Sequence, residues 1–120
     1  MIKAKSVYEK IDCDDGIRIL TMRKWPRGVG WEKNKIDVKL EDLGPSRELL
    51  DDWNEKKIDF NKYTKRYRRE MEQPKQKSLI KLLAFLSQHS TITVLCWEKE
   101  DKECHRRLLK PLIEEARARF

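Results

Sequence analysis

The fold turns on TITVLCW, residues 91–97, a run of β-branched and apolar side chains with no charge inside it. A strand with one wet face alternates polar and apolar positions, and this one does not. Such a strand is buried on both faces, which is its usual fate in a parallel sheet. Parallel strands are joined by crossovers, and the segment just before this strand is helical. Pro74 opens QKSLIKLLAFLSQH, in which Leu79, Leu82, Leu83 and Leu86 form a wide face predicted to be buried.

Reading outward from there, FNKYTKRYRREM follows Asp59 with Phe60, Tyr63, Tyr67 and Met71 on one apolar stripe. Lys62, Lys65, Arg66 and Arg69 take the opposite side of that predicted helix. Ser46 ends a breaker, LGPS, and is placed to cap a further helix through Trp53. Ile36, Val38 and Leu40 alternate with polar residues and are read as a strand, because two of the three are β-branched. IRILTM, residues 17–22, is a more apolar strand behind an Asp15-Gly16 turn, and IKAKSV at residues 2–7 suits an edge strand. Trp31 and Trp53 are expected to pack. Residues 102–119 read as a closing helix, with a kink expected at Pro111. The succession predicts one α/β domain over residues 1–120, with a three-to-four-stranded, mostly parallel or mixed sheet flanked by helices.

Composition narrows the partners. The 120 residues hold 28 Lys and Arg against 21 Asp and Glu, a formal net charge of +7. That field favours anionic partners, either a nucleotide-like small molecule or nucleic acid. No stretch approaches the ~20 apolar residues of a membrane span, so no membrane partner is expected. MIKAKSVYEK lacks the apolar core of a signal peptide, and the expected location is cytoplasmic. Three cysteines, an odd number, argue against a disulfide framework in a reducing compartment. The surplus of Lys, Arg and Glu fits a thermophile.

In open α/β sheets ligands bind beyond the carboxyl ends of the strands. Applied here, that rule gathers Arg23, Trp25, Pro26 and Arg27 after the second strand, and Asp42, Gly44, Pro45 and Ser46 after the third. Cys96, Trp97 and Glu98 follow the last strand, with Cys104, His105 and Arg106 at the start of the closing helix. Around Cys96 to Arg106 the residues leave several chemistries open: a thiol catalyst, a disulfide, an anion cradle or plain packing. No metal site is expected, because the Cys96, Cys104 and His105 spacing matches no zinc finger or ribbon. A phosphatase or rhodanese loop would need an arginine six positions after the cysteine, where Lys102 stands. A helix N-terminus favours anions, and Cys104, His105 and Arg106 would add donors and a cation there. A thiol so placed has a lowered pKa. Arg23 and Arg27 bracket a Trp-Pro corner, suited to bidentate phosphate or carboxylate binding, with Trp25 able to stack a base.

RKWPRGVGWEKNKID, LEDLGPSREL, FNKYTKRYRREM and CWEKEDKECHRR, in that order, resemble the family known as domain of unknown function 488, in its YeaO-like branch. The resemblance covers nearly the whole chain. It implies a small cytosolic α/β protein with no assigned biochemical role. Wider members carry Asp-x-Arg at a strand end where this chain has Thr21-Met22-Arg23, so the arginine carries over and the acid does not. By position, the resemblance implies a site of Arg23, Pro26, Arg27, Cys96, Glu98, Cys104, His105 and Arg106.

The expected function is therefore a small enzyme or binder acting on an anionic, phosphate-bearing ligand. Arg23, Arg27 and Arg106 would hold the anion, with Trp25 and Ser46 beside them. Glu98 or His105 would exchange protons, and Cys104 or Cys96 would be the nucleophile. No cofactor is expected. The alternative is a nucleic-acid-binding accessory protein using the arginines and the basic helix 59–71, through Lys62, Lys65, Arg66 and Arg69.

Overall fold

The computed structural model describes residues 1–97 and 105–120. Four strands, β1 (Ile2–Ser6), β2 (Ile17–Leu20), β3 (Val38–Lys39) and β4 (Ile92–Cys96), form one sheet in the order β1-β4-β2-β3. Every pairing is parallel. All five residues of β4 are buried, as an uncharged, unalternating strand requires in the centre of a sheet. β1 is an edge strand, β2 ends two residues earlier than its apolar run allowed, and the third strand shrinks to Val38 and Lys39.

Between β3 and β4 the chain forms a short 3₁₀ turn (Glu41–Leu43) and the helices α1 (Arg47–Asn54), α2 (Phe60–Met71) and α3 (Pro74–Ser87). α4 (His105–Arg117) closes the fold and carries Pro111 inside it. Ser46 caps α1 by accepting from Leu49 N, Asp59 caps α2 by accepting from Lys62 N, and Pro74 occupies the first turn of α3. Among the described residues no helix is long and apolar enough to cross a membrane.

The two sheet faces differ. Ile2, Ile92, Val94 and Ile19 share one face and build the main core with Leu49, Tyr63, Tyr67, Ile80, Leu83, Leu109 and Ile113 from all four helices. On the other face Leu20 and Leu95 pack with Val7, Ile36, Met22 and Val29, which come from the connections after β1 and β2. Residues 7–16 and 21–37 thus travel across one face, and α1–α3 return across the other in the opposite direction. Opposite travel on opposite faces gives these connections one hand, as the right-handed crossover rule demands.

Two packing expectations are corrected. Leu82 is 51% exposed, and Phe85 lies on the same outer side of α3, while Ile80, Leu83, Ala84 and Ser87 face inward. Trp53 packs against Phe60 and Tyr63 as expected, but Trp31 is exposed and meets Trp25 edge-on at 5.0 Å.

Candidate functional site

Because the sheet is wholly parallel, Ser6, Leu20, Lys39 and Cys96 all end at one edge. Three contacts draw the segments leaving them together. Tyr8 Oη donates to the Arg27 carbonyl at 2.9 Å, linking the segments after β1 and β2, whose strands have β4 between them. Gly44, after β3, lies so close to the exit of β2 that a Cβ there would stand 2.8 Å from Thr21 O. His105, at the start of α4, brings Nε2 within 2.7 Å of the same carbonyl and 3.1 Å of Thr21 Oγ1.

That last contact fixes a tautomer. A carbonyl oxygen only accepts, so His105 Nε2 carries a proton and donates it. Thr21 Oγ1 donates its own hydrogen to Leu95 O at 3.0 Å, which turns its lone pairs toward the imidazole. The ring also lies 5.9 Å from that of Tyr67, whose hydroxyl donates to Leu43 O at 2.6 Å. His105 and Arg106 are both buried rather than set on a solvated rim. A guanidinium inside the protein at this edge is unusual, since arginine is rarely fully buried.

The remaining sequence candidates fall into place around this exit. Cys96 is the buried last residue of β4, in register with Ser6. Arg23 is half exposed, donates through Nε to Pro45 O at 3.2 Å and stands 3.7 Å from Asp42. A hydrogen bond from Lys75 holds the Asp42 carboxyl below its ordinary value against the effect of burial, with the charges of Lys75 and Arg23 assisting. Trp25 is exposed, with Lys39 Nζ 5.9 Å from its ring centroid, and Lys39 also donates to Arg23 O at 2.8 Å. Arg27 is exposed. Ser46 is committed to structure: its N–H donates to Glu70 Oε1 at 2.8 Å, its hydroxyl donates to Glu70 Oε2, and Oγ accepts the α1 cap bond. Glu98 and Cys104 lie outside the described residues, and with them the question of a Cys96–Cys104 pair.

On α2, Lys62, Lys65 and Arg69 are exposed, whereas Arg66 pairs with Asp52 of α1 at 2.6 Å. That hydrogen bond, opposed by burial and helped by the charges of Arg66, Lys57 and Lys62, keeps Asp52 below the usual carboxylate range. Asp52 thus sets one acid against the basic helix.

Sequence reasoning missed a second polar centre, on the loop-covered face. Lys3, Thr93 and Arg18 stand in one row across β1, β4 and β2, and Asp15 reaches back over them. The Asp15 carboxylate is 3.2 Å from Lys3, 3.1 Å from Lys5 and 2.5 Å from Arg18, and its carbonyl accepts from Thr93 Oγ1. Burial pushes its pKa up but is outweighed by hydrogen bonds from Lys5, the Asp12 amide and Lys3, leaving it at about 2. Asp12 and Asp14 complete a carboxylate cluster of metal-binding size, but Lys3, Lys5 and Arg18 already occupy it. The signal was present in the alternation of Lys3 and Lys5 facing a DCDDG turn.

Residues 2–117 match the family model described as the Active DUF488-N3 subclade, and the chain belongs to that family. It is 30% identical over 104 residues to the uncharacterised protein YeaO of Escherichia coli, covering 87% of this chain and 89% of that protein. Uncharacterised proteins of Mycobacterium tuberculosis and Mycobacterium bovis are 33% identical over 70 residues, 58% of this chain. The chain matches 59% of the length of those mycobacterial relatives. No solved structure matches.

Proposed function

We propose that this member of the DUF488-N3 subclade takes a compact anionic, phosphate-bearing ligand at the carboxyl edge of its sheet, as a small enzyme or a binder. The observation that carries the reading is the convergence on Thr21, where His105 donates to its carbonyl and Gly44 presses against it. Arg23 and Arg27 leave the same strand end. Arg27 is exposed, and Arg23 is half exposed and would exchange its 3.7 Å approach to Asp42 for a phosphate or carboxylate. Arg106, buried in the first turn of α4, adds a fixed positive charge to the element that follows the β4 end. The buried Cys96 thiol belongs to the packing of β4 in this reading, and the nucleophile and acid roles fall to Cys104 and Glu98.

The reading through α2 has weaker support, because Arg66 is engaged by Asp52. An NMR titration of amide shifts with inorganic phosphate and pyrophosphate tests the choice. Shifts are expected around Thr21, Arg23 and His105, with affinity falling ~10-fold or more in Arg23→Ala and unchanged in Lys65→Ala. A salt-steep response that follows Lys65→Ala instead favours nucleic acid on α2. Indifference to both replacements removes the anion site.

A further inference from the structure

The anion reading leaves one group of residues without a task. Of the four tryptophans, Trp53 packs in the core, while Trp25, Trp31 and Trp97 are 39%, 49% and 48% exposed. Tyr8 is 42% exposed. These four rings sit on the segments leaving β1, β2 and β4 at the carboxyl edge. Exposed indole forfeits the burial that makes tryptophan favourable inside proteins, so a group of exposed aromatics beside arginines marks a contact surface.

The tryptophans are not exposed for want of order. The segment from Trp25 to Ile36 is built of tight turns: Val29 N donates to Pro26 O at 3.2 Å, Asn34 N to Gly30 O at 3.1 Å, and Ile36 N to Trp31 O at 2.9 Å. Asn34 Oδ1 accepts from Gly30 N, and Gly28 adopts φ 75°, a turn that glycine makes without strain. Pro26 is buried, and Val29 and Ile36 anchor the segment to Leu20 and Leu95. Tyr8 fastens it once more at the Arg27 carbonyl. Arg23, Trp25 and Arg27 thus alternate along a fixed arm, with Lys39 beside the Trp25 ring. Ordering of this kind lowers the entropic cost of binding.

We infer that the ligand carries a flat aromatic ring as well as a phosphate: a mononucleotide whose base stacks on the Trp25–Trp31 pair while its phosphate meets Arg23 and Arg27. The inference rests on the anion reading and adds the class of the ligand's other half. A free mononucleotide is favoured over a strand of nucleic acid because, among the described residues, acids interrupt the basic positions: Arg23 is paired with Asp42, Lys39 with Glu41 and Arg66 with Asp52. Asp42 stands 3.7 Å from Arg23 at the base of the arm, and Glu41 reaches Lys39 beside Trp25.

The test compares adenosine monophosphate, ribose 5-phosphate and inorganic phosphate on the full chain, read by tryptophan fluorescence and by amide shifts. The expected result is fluorescence quenching by the nucleotide and binding ~10-fold or more tighter than ribose 5-phosphate, the range that base stacking on an aromatic ring supplies. Trp25→Leu should bring the nucleotide down to the affinity of ribose 5-phosphate and leave phosphate binding unchanged, with Trp31→Leu as a second, independent variant. Equal affinity for nucleotide and sugar phosphate, untouched by either variant, overturns the stacking and leaves the anion site standing. If none of the three binds, both readings fall. Tighter binding of a single-stranded oligonucleotide, with a steep salt slope weakened by Lys62→Ala, overturns the mononucleotide in favour of a strand.

Discussion

Replacing Asp15 with asparagine should destabilise the protein in a way that depends on pH. The Asp15 carboxylate is 1% exposed and touches Lys3, Lys5 and Arg18. Its pKa is about 2 in the folded chain against 3.8 for the ordinary group. A carboxyl with a depressed folded pKa stabilises the fold at pH above the ordinary value and loses that contribution as pH falls toward the folded value. At ~1.4 kcal/mol for each tenfold, the gap is worth about 2 kcal/mol, lost between about pH 5 and pH 2. At pH 7 the asparagine variant also leaves the buried Arg18 without its charged partner, and breaking a buried pair in this way costs about 3 kcal/mol or more. Urea unfolding monitored by circular dichroism should therefore show the variant's midpoint lower at pH 7 by roughly 1 M or more. The deciding quantity is the difference between the two proteins as pH drops. Asp42 and Asp52 are also held below their ordinary values, but they are common to both chains and cancel. Asp14, by contrast, shares Lys3 with Asp15, so Asp14→Asn is measured alongside as the control for that coupling. The wild type should lose about 2 kcal/mol more than the variant between pH 5 and pH 2. Parallel loss in both would refute the claim that Asp15 is the ionised keystone of this face.

Three further outcomes are expected. Gly16→Ala should fail to fold stably, with a Tm lower by at least ~10 °C in calorimetry, because Gly16 has φ 66° and a Cβ would stand 1.9 Å from Thr91 O. Ser46→Ala should cost about 1–2 kcal/mol in chemical denaturation, since it removes the α1 cap and a donor to Glu70 together. Tyr67→Phe should cost about 1–2 kcal/mol in the same assay by removing the buried bond to Leu43 O, while the ring stack with Tyr63 and the helix content persist.

Most of the fold was legible where a local pattern coincided with burial. The uncharged run Ile92–Cys96 could lie only inside a sheet, and the Tyr63, Tyr67, Met71 stripe faces the core as spaced. Ser46 and Asp59 cap helices because their side chains reach the third amide onward. Other features depended on partners that no local window contains. α3 is apolar around most of its circumference, so its sequence could not say that Leu82 and Phe85 face outward. Lys3 and Lys5 read as a solvated edge because a lysine declares burial only when a carboxylate from elsewhere covers it, here Asp15. The helices lie on one face because the connections after β1 and β2 lack a helical period and must cover the other face as loops. At the carboxyl edge, the strand-end rule anticipated that Arg23 and the start of α4 follow the ends of β2 and β4. It could not foresee that His105 and Arg106 would be buried, since that follows from how closely Gly44 and α4 approach Thr21.

The side chain at position 21 carries the last step. An aspartate at this strand end, as in the wider family pattern, would set a carboxylate about where Thr21 Oγ1 meets His105 Nε2 at 3.1 Å. A carboxylate there would draw a charged imidazole and back it as an acid or base. Threonine offers a neutral hydroxyl whose hydrogen already goes to Leu95 O, and the imidazole donates to a main-chain carbonyl instead. His105 in this chain is thereby a clamp between the exit of β2 and the start of α4, holding the first turn of α4 and its Arg106 against the strand ends.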